Sequence, residues 1–311
     1  MTEQVLDDKS AEIRALEARI AALEARNEQL GTMVEYLHYW TIRSDENIRD
    51  ITSKIGGLPE AEKDTRGIFE IKWQKLNDNG RSTLENPEHK AIVAETVRRW
   101  TGLPAEWFKG KKTLDGGCGD GRLSYGMCEM GAIVTSMDQS AKGVERTVNY
   151  CKEFPGHRGI RWNLLDRWEE EPESFDLVLS FGVVHCTGDT RKAMANLASL
   201  VKPGGYLALM VYGYPRPDKP GDFVHMVRKE RVRQAIRHMT GDEAIAYIQE
   251  QLDAGAIKGD ARGWYDATAP RVEDHYTMSQ MNMMMQELGF EEIVLLDDTI
   301  RNIAIRGRKP V

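Results

Sequence analysis

The first forty positions repeat apolar residues at alternating spacings of three and four. With Leu6, Ile13, Ile20, Asn27 and Val34 at heptad position a, position d holds Lys9, Leu16, Leu23, Leu30 and Leu37. Eight of these ten are aliphatic. A stripe this narrow, sustained among Glu, Arg and Ala, predicts a coiled coil over residues 1–40 rather than one amphipathic helix lying on its own domain. Ile at a with Leu at d favours two parallel strands, and Asn27 at a fixes register by pairing with its symmetry mate. Arg19 at g then reaches Glu24 at e of the partner, whereas Glu12 facing Glu17 and Gly31 weaken the seam. The expected assembly is a parallel homodimer through residues 6–37.

Residues 41–100 predict a helical linker or lid. Helix should continue from Glu35 and end at Ile55-Gly56-Gly57-Leu58-Pro59. Asn77-Asp78-Asn79-Gly80 marks a turn, and Pro87–Trp100 a helix stopped by Thr101-Gly102. From residue 101 the rhythm becomes strand and helix in alternation. Expected strands are Lys112–Asp115, Ala132–Asp138, Ile160–Asn163, Phe175–Phe181 and Tyr206–Tyr212, the last fed by a turn at Pro203-Gly204-Gly205. Gly121–Met130, Ala141–Phe154 and Thr190–Leu200 read as the helices between them. Such repetition predicts a doubly wound, parallel α/β sheet. An insertion over 213–270 breaks the rhythm with helices at Asp222–Met239 and Asp242–Ala254, then an irregular stretch. The helix Met278–Leu288 and strands Phe290–Leu296 and Thr299–Arg306, joined at Asp297-Asp298 as a hairpin, complete a domain spanning 101–311.

The string Leu114-Asp-Gly-Gly-Cys-Gly-Asp-Gly-Arg122 raises a question of ligand. No GxxxxGK[ST] string exists, which excludes a P-loop. A GxGxxG dinucleotide fingerprint begun at Gly117-Cys118-Gly119 fails at Arg122. What fits is an acid ending a strand, Asp115, with glycines at 117, 119 and 121. This resembles the first motif, D-x-G-x-G-x-G, of the class I S-adenosylmethionine-dependent methyltransferases. Met137-Asp138-Gln139-Ser140, Asn163-Leu164-Leu165-Asp166, Phe175–Ser180 and Val201-Lys-Pro-Gly-Gly205 resemble that family's later elements, in order.

The resemblance implies a Rossmann-like, seven-stranded sheet whose last strand is antiparallel and inserted beside the fifth. It implies S-adenosylmethionine as cofactor, with the glycine loop around its amino-acid part, Asp138 on the ribose hydroxyls and Asp166 on the adenine amino group. The cofactor contacts expected are Asp115, Gly117, Cys118, Gly119, Asp138, Gln139, Asp166 and Phe181. Two acceptor oxygens facing two hydroxyl donors make Asp138 chemically apt.

Methyl transfer to oxygen needs a positioned nucleophile and a nearby base. Ligands of open α/β sheets sit beyond the carboxyl ends of the strands. His185, just after the fourth strand, is therefore a catalytic candidate, with cofactor-side packing as the alternative. His275 is a second, in a cluster where Tyr265, Arg271 and Tyr276 are candidate substrate contacts and a plain loop is the alternative. The basic run Met226–Arg233 reads either as a lid for an anionic substrate or as a solvated helix face. Met281, Met283, Met284 and Met285 read as core packing.

Net charge is -7 and the pI about 5.6, which argues against a nucleic-acid partner. The 4 cysteines form no CxxC pair, so free thiols and no catalytic metal are expected. No apolar run reaches the ~20 residues of a membrane span, and the N-terminus lacks a secretory pattern. The expectation is a cytoplasmic methyltransferase acting on a hydroxyl of a small molecule or glycan. Transfer to nitrogen or carbon of a small metabolite, and a coiled-coil scaffold with a vestigial domain, are the alternatives.

Overall fold

The computed structural model describes residues 2–49, 64–76, 84–168, 172–216, 218–297 and 302–311. The expected helix end at Ile55–Pro59, the turn at Asn77–Gly80 and Asp298 of the hairpin link lie outside them. The chain divides into two compact units. One joins Met1–Lys54 to Pro215–Gln234, and the other holds Ile55–Tyr214 and Ala235–Val311.

In the first unit, α1 (Thr2–Arg49) is a single continuous helix. Its heptad residues Ile13, Ile20 and Val34 at a, and Leu16, Leu23, Leu30 and Leu37 at d, are all exposed. Met33 and Tyr36 use another face. Tyr36 is buried with Phe223, Met226 and Val227, and Met33 packs on this cluster. The Tyr36 ring meets Phe223 edge-on, and Glu35 accepts from Arg231 at 2.5 Å. The basic run is not a uniformly solvated face: Lys229, Glu230 and Arg233 are buried, with Arg233 Nε 3.4 Å from Glu230. Burial removes them from water and makes pairing obligatory.

The second unit opens with α2 (Thr65–Lys75), the single turn α3 (Pro87–Lys90) and α4 (Val93–Thr101). The expected helix Pro87–Trp100 is therefore broken. At Ala91-Ile92 the chain closes a tighter turn, Ile92 N–H donating to His89 O at 3.0 Å. Then follow β1 (Lys112–Gly116), α5 (Arg122–Glu129), β2 (Ile133–Asp138), α6 (Ala141–Cys151), β3 (Arg158–Arg161), β4 (Phe175–Phe181), α7 (Thr190–Leu200) and β5 (Val201–Tyr212). Pro203-Gly204-Gly205 is a bulge inside β5: Phe175 pairs with Val201 but Leu177 with Tyr206, and Gly204 takes φ 76°. Beyond Tyr214 come α8 (Pro220–Ile236, shared with the first unit), α9 (Gly241–Asp253), α10 (Ala261–Thr268), α11 (Met278–Glu287), β6 (Glu291–Asp297) and β7 (Asn302–Arg308).

The sheet order is β3-β2-β1-β4-β5-β7-β6. β1 to β5 run parallel, and β7 is antiparallel between β5 and β6. This is the Rossmann-like arrangement expected. Strand β4 is buried on both faces, as a central parallel strand must be. Alternate residues feed separate cores. Val178 joins Leu207, Leu209, Met281, Met284 and Met285, while Leu177 and Leu179 join Val97, Phe108 and Val134. Three of the four methionines are thus core, and Met283 is exposed.

The expected irregular stretch after residue 260 is instead the helix α10. Asp260 caps it, its Oδ1 accepting from Gly263 N–H at 2.7 Å.

Candidate active site

At the carboxyl end of β1 the backbone turns left-handed at Gly117 (φ 89°) and Gly119 (φ 54°). A Cβ on Gly117 would lie 2.4 Å from Val183, and one on Gly119 2.7 Å from the Trp73 ring. Only glycine permits both the dihedral and the approach. Gly117 and Cys118 N–H both donate to Met137 O, at 2.6 and 2.9 Å, locking the loop to the end of β2. Asp138 completes the cradle. Its Oδ2 accepts from Gly119 N–H at 2.9 Å and its Oδ1 from Ser140 N–H at 2.8 Å. Burial pushes the Asp138 carboxyl above its usual range, against the pull of these two amides. Each oxygen keeps a lone pair for a further donor.

The donor set fits S-adenosylmethionine. A side-chain-free loop leaves room for an amino-acid moiety, and a carboxylate with open lone pairs meets a diol. Cys118 is buried, and burial beside Asp138 and Asp115 holds its thiol well above the usual range, so it packs as a neutral group. Asp115 is buried and accepts from Ser124 Oγ at 2.6 Å. Gln139 and Asp166 stand near the same rim; Gln139 O accepts from Arg161, and exposed Asp166 follows the Asn163 turn. Phe181 packs on Trp100 with centroids 5.5 Å apart, and it is Val183 that faces Gly117.

A roof over the loop carries no motif in the sequence. Trp73 of α2 covers Gly119 and Gly143, and Ser140 Oγ donates to Glu70 at 2.5 Å. Two ion pairs tie this roof down, Lys72 to Asp266 and Arg262 to Asp120, each at 2.5 Å. Desolvation acts to raise the Asp266 carboxyl, but Lys72 overrides it and holds it below the usual range. The only sequence signal is Trp73 beside Ile68, Phe69 and Ile71 in a short helix that also carries Arg66, Glu70 and Lys72.

A second cluster lies past the ends of β4 and β5. His185 is fully buried, its ring 4.2 Å from that of Tyr212. The His275 ring lies 6.4 Å from Tyr212 and 5.9 Å from Tyr214. His275 Nε2 is 3.3 Å from Glu273 Oε1, both side chains being buried. The backbone stitches the segments together: Asp274 N–H donates to His185 O, and Tyr276 N–H to Tyr212 O. Tyr276 donates to Asp274 at 3.4 Å, and burial pushes its phenol up to about 12, so it stays a donor.

The structure thus brings together His185, His275 and Tyr276, and adds Glu273, Tyr212 and Tyr214. Arg271 and Tyr265 belong elsewhere, lining a small cavity of about 10 Å³ with Ile68, Ile236 and Met239. Tyr265 is 1% exposed, and Arg271 donates to Arg237 O at 3.1 Å.

Comparison with known proteins agrees with this geometry. Residues 114–207 match the family model described as a methyltransferase domain. Ubiquinone biosynthesis O-methyltransferase of Coxiella burnetii is 30% identical over 100 residues, 32% of this chain and 43% of that protein. Demethylmenaquinone methyltransferase of Tropheryma whipplei is 26% identical over 183 residues, 58% of this chain and 67% of that protein. The chain spans less than half the length of the Coxiella relative. A chain from the complex of the Haloferax volcanii Trm112 methyltransferase activator with a methyltransferase shares the fold. It superposes with a TM-score of 0.50 at 13% identity, over 78% of this chain and 98% of that one. Residues 114–207 thus match a methyltransferase domain and lie on a sheet of Rossmann-like order.

Proposed function

We propose that the protein transfers the methyl group of S-adenosylmethionine to a hydroxyl of a small-molecule or glycan-type acceptor, in the cytoplasm, as a homodimer. The cofactor supplies an electrophilic methyl on a sulfonium; the chain positions the acceptor and removes its proton. One observation carries the oxygen acceptor: a buried imidazole, His275, paired with Glu273 beside Tyr212 at the carboxyl ends of the strands. A carboxylate 3.3 Å from one ring nitrogen favours the imidazolium formed on taking a proton. His185 is the alternative base or an acceptor contact, and Tyr276 offers a hydrogen bond to the acceptor; Arg271 contacts it only if the acceptor extends to the cavity that Arg271 lines with Tyr265. Tyr265, in the packed interior, shapes the cavity wall. The name of the Coxiella relative, an O-methyltransferase, supports the same acceptor atom.

The test is calorimetric titration of S-adenosylmethionine and S-adenosylhomocysteine, with Asp138→Ala alongside, followed by a labelled-methyl screen of hydroxyl, amine and carbon acceptors. Binding weakened by Asp138→Ala and label on oxygen is expected. Label on nitrogen or carbon would overturn the oxygen acceptor, and no binding would leave the scaffold reading.

The exposed a and d residues of α1 support the dimer, because Met33 and Tyr36 occupy a different face. Among the described residues no helix is long and apolar enough to cross a membrane. Leu16→Glu with Leu23→Glu should give monomers in light scattering; a persisting dimer would move the interface off α1.

A further inference from the structure

A file of hydrogen-bonding groups runs under the glycine loop from the end of β1 to the turn before β3. Ser124 Oγ, on α5, donates to the Asp115 carboxylate at 2.6 Å. Ser136 Oγ, on β2, donates to Ser124 Oγ at 2.7 Å. The Nε2 of His157 lies 2.9 Å from Ser136 Oγ. Ser124 and Ser136 are fully buried and Asp115 nearly so, while His157 is half-buried. Four successive segments, β1, α5, β2 and the turn before β3, therefore converge on one line that starts at a buried acid and ends at an imidazole near solvent.

A hydroxyl donates one hydrogen bond and accepts others, so this line can be polarised either way. With Asp115 ionised, His157 Nε2–H donates to Ser136, Ser136 to Ser124, and Ser124 to the carboxylate. With Asp115 protonated, every bond reverses and Nε2 accepts. Moving one proton along the line changes only its two ends.

The charged and titratable neighbours of Asp115 are few. Arg122 on α5 favours its ionised form; Asp138 on β2 opposes it. Buried Cys118 of the loop is neutral, and β4 contributes Leu179 and Ser180, neither ionisable. At the other end His157 meets the Cys151 thiol of α6 and is followed by Arg158, whose Nε donates to Thr135. Burial pushes the Asp115 carboxyl up to about 7, where a nearby charge decides its state.

We propose that Asp115, Ser124, Ser136 and His157 form a proton exit coupled to cofactor charge. Without ligand, Asp115 holds a proton. A sulfonium bound at the glycine loop favours the carboxylate, and the proton passes through Ser124 and Ser136 to His157 and the solvent. One O–H bond is lost at Asp115, each serine hydroxyl gives one proton and receives one, and the buffer gains one. Loss of the sulfonium charge after transfer returns the proton to Asp115 and removes a negative charge from beneath the spent cofactor. This rests on the reading that the loop binds S-adenosylmethionine.

The experiment is titration calorimetry near pH 6.5 in phosphate and in imidazole, whose different ionisation heats report protons released per ligand bound. S-adenosylhomocysteine, lacking the charge at sulfur, is the reference. Wild-type protein should release a substantial fraction of one proton more with S-adenosylmethionine than with S-adenosylhomocysteine. Asp115→Asn should abolish that difference, and Ser136→Ala should keep its size but slow proton appearance at least tenfold in indicator stopped-flow. Equal release for the two ligands in the wild type, or an unchanged difference in Asp115→Asn, overturns the proposal. Should Asp115→Asn bind neither ligand, infrared difference spectra of the wild type decide. The carboxylic-acid band must bleach with S-adenosylmethionine and not with S-adenosylhomocysteine, and a band that does not bleach overturns the proposal. Absence of binding by the wild type to either ligand fails the cofactor reading instead, a separate and visible outcome.

Discussion

The two rims of the sheet are built by different means. At the β1–β2 rim the contacts are made by backbone: left-handed glycines, and a carboxylate held by two amides. At the β4–β5 rim they are made by side chains, with His185, Tyr212 and His275 drawn from three separate segments. A backbone site tolerates few residue types and serves an invariant ligand. A side-chain site can be retuned one residue at a time, which suits an acceptor that varies while the fold stays constant. Separate functional readouts should follow: substitutions at the first rim move cofactor affinity, and those at the second move turnover.

The largest effect is expected at Gly117. Alanine there would take a φ of 89° and place its Cβ 2.4 Å from Val183. Cofactor affinity should fall by more than about a hundredfold, roughly 3 kcal/mol, with the melting temperature showing whether the sheet survives. Retained affinity in Gly117→Ala would break the comparison at its root. Next, His275→Ala should cut kcat by about a hundredfold, the usual scale of a general base, with little change in the cofactor Kd. If His185→Ala does this and His275→Ala does not, the base is His185 and the Glu273 pair is structural.

The same contrast explains how much could be read in advance. The glycine loop and the succession of strands and helices were legible because a backbone requirement forces residue type at fixed spacing, while Asp138 and the antiparallel last strand beside the fifth came with the family resemblance. The roof was not legible, because its ion pairs join residues 194 and 142 positions apart, and no local pattern marks Lys72 or Arg262. Tyr212 reads as the end of a strand and Tyr214 as the start of a proline-rich turn, and Glu273, one acid among the residues around His275, is singled out only by standing 3.3 Å from its ring. The helix α10 was missed because Gly263 and the aromatics Trp264 and Tyr265 lower helix propensity, although Asp260 is a proper cap. The relay under the loop was equally hidden, its serines lying outside the motifs that open α5 and end β2.

A smaller effect tests the first rim without ligand. The Asp115 carboxyl sits at about 7 against an ordinary 3.8, with burial the main cause. The folded state then holds a proton that the unfolded chain has already lost, so the contribution of Asp115 to stability is full below about pH 4 and is lost as pH rises through 7. A tenfold change in proton affinity is worth about 1.4 kcal/mol. After relaxation of the site, on the order of 2 kcal/mol should remain in this pH dependence. Asp115→Asn should flatten the dependence of the melting temperature on pH between 5 and 8. An unchanged slope would assign that pH dependence to other groups.

The smallest effect is expected at Arg271, and it decides where the second rim ends. Its guanidinium donates to Arg237 O and lines the cavity with Tyr265, away from the Glu273–His275 pair. If the acceptor reaches that cavity, Arg271→Ala removes a binding contact made equally in ground and transition states. KM should then rise two- to fivefold, on the order of 0.5–1 kcal/mol, with kcat unchanged. If the acceptor stops at the histidines, both constants stay at wild-type values, because the lost hydrogen bond only ties residue 271 to the end of α8. A fall in kcat at constant KM would mean that Arg271 positions the His275 segment through the chain, joining the cavity to the catalytic rim rather than to the acceptor.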